Sequence, residues 1–99
     1  MARAEIIEDE KFRLDSGEIV QIKVWRLPEA TKERPHGLRY RLFFGRPGER
    51  IVGYDNEAGK GDHRHYRDRE ERYSFTTLES LFADFWEDRK STRLNSSHT

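Results

Sequence analysis

The segment 54–65, YDNEAGKGDHRH, gathers most of the chain's groups suited to proton transfer and anion binding. His63 and His65 stand two residues apart, so on an extended backbone both rings point one way while Asp62 and Arg64 point the other. Two imidazoles titrating near neutrality can serve as base and acid. One would take the proton of a ribose 2′-hydroxyl, and the other would give a proton to a departing 5′-oxygen. His63, His65 and Asp62 form the candidate catalytic set. Lys60 and Arg64 would stabilise phosphorane charge, and Gly59 and Gly61 would let backbone N–H groups approach the same anion. The spacing is not that of a Walker P-loop, GxxxxGK[ST]. Tyr54, Asp55 and Asn56 complete the candidate phosphate- or RNA-binding set. No cofactor is expected. If a metal is held, its ligands would be Asp55, Asp62, His63 and His65, and a divalent ion would supply the same charge stabilisation. A solvated loop whose Asp, Asn and Gly residues only make turns accounts for the same composition.

Other polar residues read more simply. Arg39, Arg41, Arg67, Arg69 and Arg72 alternate with other residues or are partly neutralised by Asp68, Glu70 and Glu71, as on solvated strand faces. His36, beside Pro35, reads as a surface histidine. Trp25 reads as a core or interface residue whose indole N–H needs a polar partner.

The elements that must position the segment follow from periodicity. Residues 3–14 read as a strand with an irregular point near 8–10, and Asp15-Ser16-Gly17 is turn chemistry. In the next strand Val20, Ile22 and Val24 share one face, and Ile19, Gln21, Lys23, Trp25 and Leu27 share the other. Pro28 stops it, and PEATKERPHG is a polar connection. In LRYRLFF the residues Leu38, Tyr40, Leu42 and Phe44 share a face, Arg46-Pro47-Gly48-Glu49 is a hairpin turn, and the return strand covers residues 50–55. A charge run, YRDREER, precedes a short strand at 73–75. Thr76-Thr77-Leu78-Glu79 fits a capping box before a helix whose apolar face is Leu78, Leu81, Phe82, Phe85 and Trp86. The expected fold class is α+β: a small twisted antiparallel sheet of four to five strands with one C-terminal helix packed on it.

Composition bounds the rest. Hydrophobic residues make up 33% and charged residues 38%, a thin supply for a core, so stability is expected to be low or completed by a partner. With a formal net charge of zero, any nucleic-acid contact must be local. There is no cysteine, no signal-peptide pattern and no run of about 20 apolar residues, so no membrane contact and a cytoplasmic location are expected. Residues 88–98, DRKSTRLNSSH, match the translation of a common sequencing adapter residue for residue. The expected division is a single domain at 1–87 and a non-native tail at 88–99, disordered or a fraying helix end. Taking Arg89, Lys90 and Arg93 from the 19 bases and Asp88 from the 19 acids leaves about minus two on the natural part.

The order VWRLPE, LRYRLFF, VGYDNEAGKGDHRH and YSFTTLESLFADF resembles the TumE family of toxins from prokaryotic toxin–antitoxin operons, over nearly all of residues 4–86. The resemblance implies a growth-inhibiting protein made beside an antitoxin with a helix-turn-helix DNA-binding domain. The sheet-plus-helix layout is also broadly similar to RelE-type toxins, which cleave messenger RNA, an analogy of fold alone. Three functions remain open: a metal-independent ribonuclease, a non-enzymatic nucleic-acid or protein binding module, and a metal-dependent nuclease or nucleotidyl transferase. RNA, the cognate antitoxin and a second copy of the chain are the candidate partners.

Overall fold

Alternation of apolar and polar residues carries the chain through four antiparallel strands, and a polar hairpin extends the sheet to six. A computed structural model describes residues 3–56, 59 and 61–96. The strands are β1 (Glu5–Arg13), β2 (Ile19–Arg26), β3 (Leu38–Arg46), β4 (Glu49–Asp55), β5 (His63–Tyr66) and β6 (Arg69–Arg72), followed by helix α1 (Leu78–Ser96). Each strand pairs with its neighbours in sequence, giving the order β1-β2-β3-β4-β5-β6. The irregular point in β1 is a register shift between Ile6 and Glu8.

One face of the sheet is the core. Val20, Ile22 and Val24, then Tyr40, Leu42 and Phe44, then Val52 and Tyr54 are buried along it. Leu81 and Phe85 of α1 lie on these side chains without solvent exposure, each burial stabilising by about 1.5–3 kcal/mol. Leu78, Phe82 and Trp86 complete the apolar helix face as expected, with Trp86 stacked on Phe12 of β1. The helix begins one residue later than the capping box implied. Thr77 is the cap, its Oγ1 accepting from the Ser80 N–H at 3.0 Å, which leaves Glu79 in the first turn rather than reaching back.

Two expectations about the sheet are corrected. It has six strands, not four to five, because HRHY and the charge run REER pair as a hairpin that carries no apolar alternation. Pairing to β4, not pattern, makes them strands. Arg67 turns that hairpin in the left-handed region, φ 55°, and its N–H donates to the Ile51 carbonyl at 2.8 Å. The residues expected as a short strand at 73–75 form an irregular connection instead. Tyr73 is held there by its hydroxyl, which donates to Asp84 at 2.5 Å; burial, then this bond, raise its pKa.

The β3–β4 hairpin carries a bulge that sets the orientation of everything beyond it. Arg46 faces Glu49 and Gly45 faces Arg50, but Phe44 faces Val52, so Ile51 is an extra residue. Past this point Gly53 pairs with Phe43 and Asp55 with Arg41. Gly45 makes the bulge feasible, since a Cβ there would lie 2.2 Å from the Glu49 carbonyl oxygen. At the far end Asn56, fully buried, fixes the register. Its Oδ1 accepts from the Tyr40 N–H at 3.0 Å and its Nδ2 donates to the Leu38 carbonyl at 2.8 Å, continuing the ladder with a side chain. Its own carbonyl accepts from Arg34 Nε at 3.0 Å and from the terminal nitrogen at 2.7 Å, tying down the 27–37 connection.

Gly45→Ala should therefore lower unfolding free energy by about 1–3 kcal/mol, as an overpacked site against rigid backbone does. Urea denaturation of the two proteins checks this, and an unchanged midpoint would contradict it.

Candidate functional site

Because β4 is bulged, Arg50 and Asp55 face the same way despite their odd separation, on the side of the sheet opposite α1. Asp55 pairs with His63 and Gly53 with His65 across β4 and β5, so both imidazoles stand on that open face beside the carboxylate. His63 Nε2 contacts Asp55 Oδ1 directly, and His65 Nε2 lies 4.0 Å from the same oxygen. The two rings meet edge to face, centroids 4.8 Å apart. Both histidines are buried, at 5% and 8% exposure, and Asp55 Oδ1 is buried between them.

The other nitrogen of each ring fixes its proton. His63 Nδ1 lies 3.0 Å from the Gly61 carbonyl, which can only accept, so Nδ1 carries hydrogen and Nε2 is turned to Asp55. Gly61, at φ 71°, turns its carbonyl inward in a conformation that L side chains rarely adopt. His65 is held the opposite way. An Arg50 guanidinium nitrogen lies 2.9 Å from His65 Nδ1, and a guanidinium only donates, so Nδ1 keeps its lone pair. Arg50 reaches it by crossing Gly53, where a Cβ would lie 2.7 Å from the arginine Cδ. Burial, and then the Arg50 charge, hold the His65 pKa below its ordinary value.

The cluster offers three ligand atoms within 4.8 Å of one another, from Asp55, His63 and His65, a set that suits a divalent ion. His63 is oriented as metal-bound histidines are, its Nδ1–H on a carbonyl. His65 is not: with Nδ1 accepting from Arg50, the neutral ring carries its proton on Nε2, the nitrogen nearer Asp55. Arg50 would have to leave before His65 could ligate through that atom.

Beside this cluster the central strands of the open face are cationic. On β2, β3 and β4 it presents Lys23, Arg39, Arg41 and Arg50 against Asp55, while Asp9 of β1 stands opposite Lys23 and Glu70 of β6 lies 3.9 Å from His63 Nε2. A cleft lined by Trp25, Arg39, Arg41, Arg50 and Asp55 joins them, and the Arg39 guanidinium lies 4.7 Å from the Trp25 ring centre. Arg39 and Arg41 read as solvation and Trp25 as packing in the sequence, whereas Asp55 was already a candidate. That they share a face depends on the bulge, which sets the parity of Asp55.

Other candidates lie elsewhere. Asp62 points to the core side, where Tyr40 Oη donates to Asp62 Oδ1 at 2.9 Å and His36 Nε2 lies 3.1 and 3.2 Å from its two oxygens. His36 is thus no simple surface histidine: it is mostly buried, packs against Phe75 with the rings tilted 43° to each other and accepts the Leu38 N–H at Nδ1. Burial and then the Asp62 bond raise the Tyr40 pKa. Arg64 also faces α1, donating to Glu71 at 2.8 Å and to Tyr54 Oη at 3.3 Å. Tyr54 is fully buried and also donates to Asp88, the first residue of the adapter-like segment; burial leads the causes that raise its pKa. The side chains of Tyr54 and Asn56 hold the frame rather than line the cluster. Gly59 is an exposed turn residue, and Lys60 lies outside the described residues.

The model of the family described as Toxin TumE matches residues 2–93 of the chain. The protein belongs to the TumE toxin family. A toxin role follows from that membership, and with it an antitoxin partner. Comparisons with curated proteins and with solved structures each returned no match. No helix of this TumE family member, among the described residues, is long and apolar enough to cross a membrane.

The His65 pKa has a consequence for stability. A folded-state value below the unfolded one favours the neutral ring, so the unfolded chain takes up the proton first as pH falls. Stability is whole above about pH 6.5 and declines as pH drops through the folded-state value. His65→Gln removes this contribution. Urea midpoints should show the wild type losing stability relative to His65→Gln between about pH 7 and 5, and a difference that stays constant over that range would contradict the assignment.

Proposed function

We propose that this toxin arrests growth by cleaving RNA through metal-independent transesterification on the open face of the sheet. What supports this reading most is the pair of imidazoles around one buried carboxylate oxygen, held in complementary states by Gly61 and Arg50. Arg50, an exposed residue, exchanges its bond to His65 for the scissile phosphate and frees His65 Nδ1. His65 takes the 2′-hydroxyl proton as the 2′-oxygen forms its bond to phosphorus. The bond from phosphorus to the 5′-oxygen breaks, and that oxygen receives the proton held between His63 Nε2 and Asp55. The products are a 2′,3′-cyclic phosphate and a 5′-hydroxyl end. Arg41 and Arg50 stabilise charge on the phosphorane.

A metal-dependent nuclease or nucleotidyl transferase is the second reading, favoured by the ligand atoms of Asp55, His63 and His65 lying within 4.8 Å of one another. In either case the toxin acts in the cytoplasm beside an antitoxin carrying a helix-turn-helix domain. A second copy of the chain is the remaining candidate partner.

Expression without the antitoxin should produce discrete new 5′-hydroxyl RNA ends. Purified His63→Ala and His65→Ala proteins should each cleave about 100- to 10,000-fold more slowly at a temperature where circular dichroism shows them folded. Cleavage that stops in chelator and returns with a divalent ion would replace this reading with the metal one. Intact RNA in arrested cells would leave a binding module without chemistry.

A further inference from the structure

Resting on the RNA reading, we infer that the open face binds its substrate as a single strand laid across β2, β3 and β4, with an unpaired base stacked at Trp25. The cleft beside the histidines does not stop at Asp55; it continues to Trp25 on β2. Register fixes the geometry. Trp25 pairs with Arg39, two residues along β3 from Arg41, which pairs with Asp55. Two strand spacings sideways and two residues along put Trp25 and Asp55 about 12 Å apart, on the order of two nucleotides of an extended strand.

The lining along this diagonal suits such a strand. Arg39 and Arg41 are exposed on the open face, Arg41 beside Asp55, and are spaced to meet successive phosphates. Trp25 is half-buried, with Lys23 Nζ 5.4 Å and the Arg39 guanidinium 4.7 Å from its ring centre. Both cations lie over the ring, so an incoming base takes the place of Arg39 or Lys23 on the indole face while the displaced cation moves to its phosphate. A duplex keeps its base faces stacked inside the helix and offers none to Trp25. In a chain of zero formal net charge, Lys23, Arg39, Arg41 and Arg50 gather on the central strands of the face that the helix leaves open, with Asp9 and Glu70 at its outer strands.

The test uses the full chain and a short RNA carrying 2′-O-methyl groups throughout, which cannot undergo transesterification. Its binding is therefore independent of whether the histidines cleave. Fluorescence anisotropy should show Trp25→Ala weakening single-strand binding roughly ten- to one-hundred-fold, with Trp25→Phe retaining most of the affinity. The matched duplex should bind no better than the Trp25→Ala protein binds the single strand. In a Trp86→Phe background, where Trp25 is the remaining tryptophan, the single strand should quench the emission. This last measurement needs no change at Trp25, so it stands even if Trp25→Ala fails to fold. Equal affinity of wild type and Trp25→Ala, unquenched emission at saturation, or equal affinity for duplex would each overturn the inference. Absence of RNA cleavage with these binding results intact would count against the catalytic reading alone.

Discussion

One extra residue in β4 decides which side chains can act together. An unbulged hairpin turning at Pro47-Gly48 would set Asp55 opposite Tyr40, facing the helix and the core. With Ile51 inserted, Asp55 faces Arg41 instead, and Arg50 and Asp55 share the open side. Pairing to β5 then hands the same orientation to His63 and His65. A slip of one residue would carry the imidazoles and the carboxylate under α1, where charge is costly. Gly45 at the bulge and Asn56 at the strand end hold this arrangement from its two sides.

Energetics divide the sheet cleanly. The helix face carries the apolar contacts that keep a chain of 33% hydrophobic residues folded. On the open face, side chains that contribute little to burial are free to serve chemistry. Gly53 illustrates the trade. It leaves a gap in the strand surface, and Arg50 fills that gap and reaches the His65 ring. The same arginine fixes the tautomer, lowers the affinity of the ring for a proton and, on turning to a phosphate, exposes the lone pair.

Much of the scaffold was legible because burial imposes a period. Val20, Ile22 and Val24, the Tyr40–Phe44 alternation and the Leu81–Phe85 helix face all follow the core, and the segment carrying Asp55, His63 and His65 stood out by composition. The β5–β6 hairpin was hidden because neither of its faces alternates, its strand character coming from pairing to β4. Asp62 and His36 pair through a contact 26 residues apart, which spacing cannot show. Arg39, Arg41 and Arg50 were hidden by the bulge, since counting back from the turn gives the wrong parity for Asp55.

If register, bulge and Arg50 make one proton-handling unit, the two histidine rings must sit in fixed and different states. Long-range nitrogen-15 spectra of the imidazoles, near neutral pH and without substrate, read those states directly. His65 should show an unprotonated Nδ1 and a protonated Nε2, while His63 shows a protonated Nδ1. Shifts from both rings averaged over the two tautomers, as for free surface imidazoles, would contradict the arrangement.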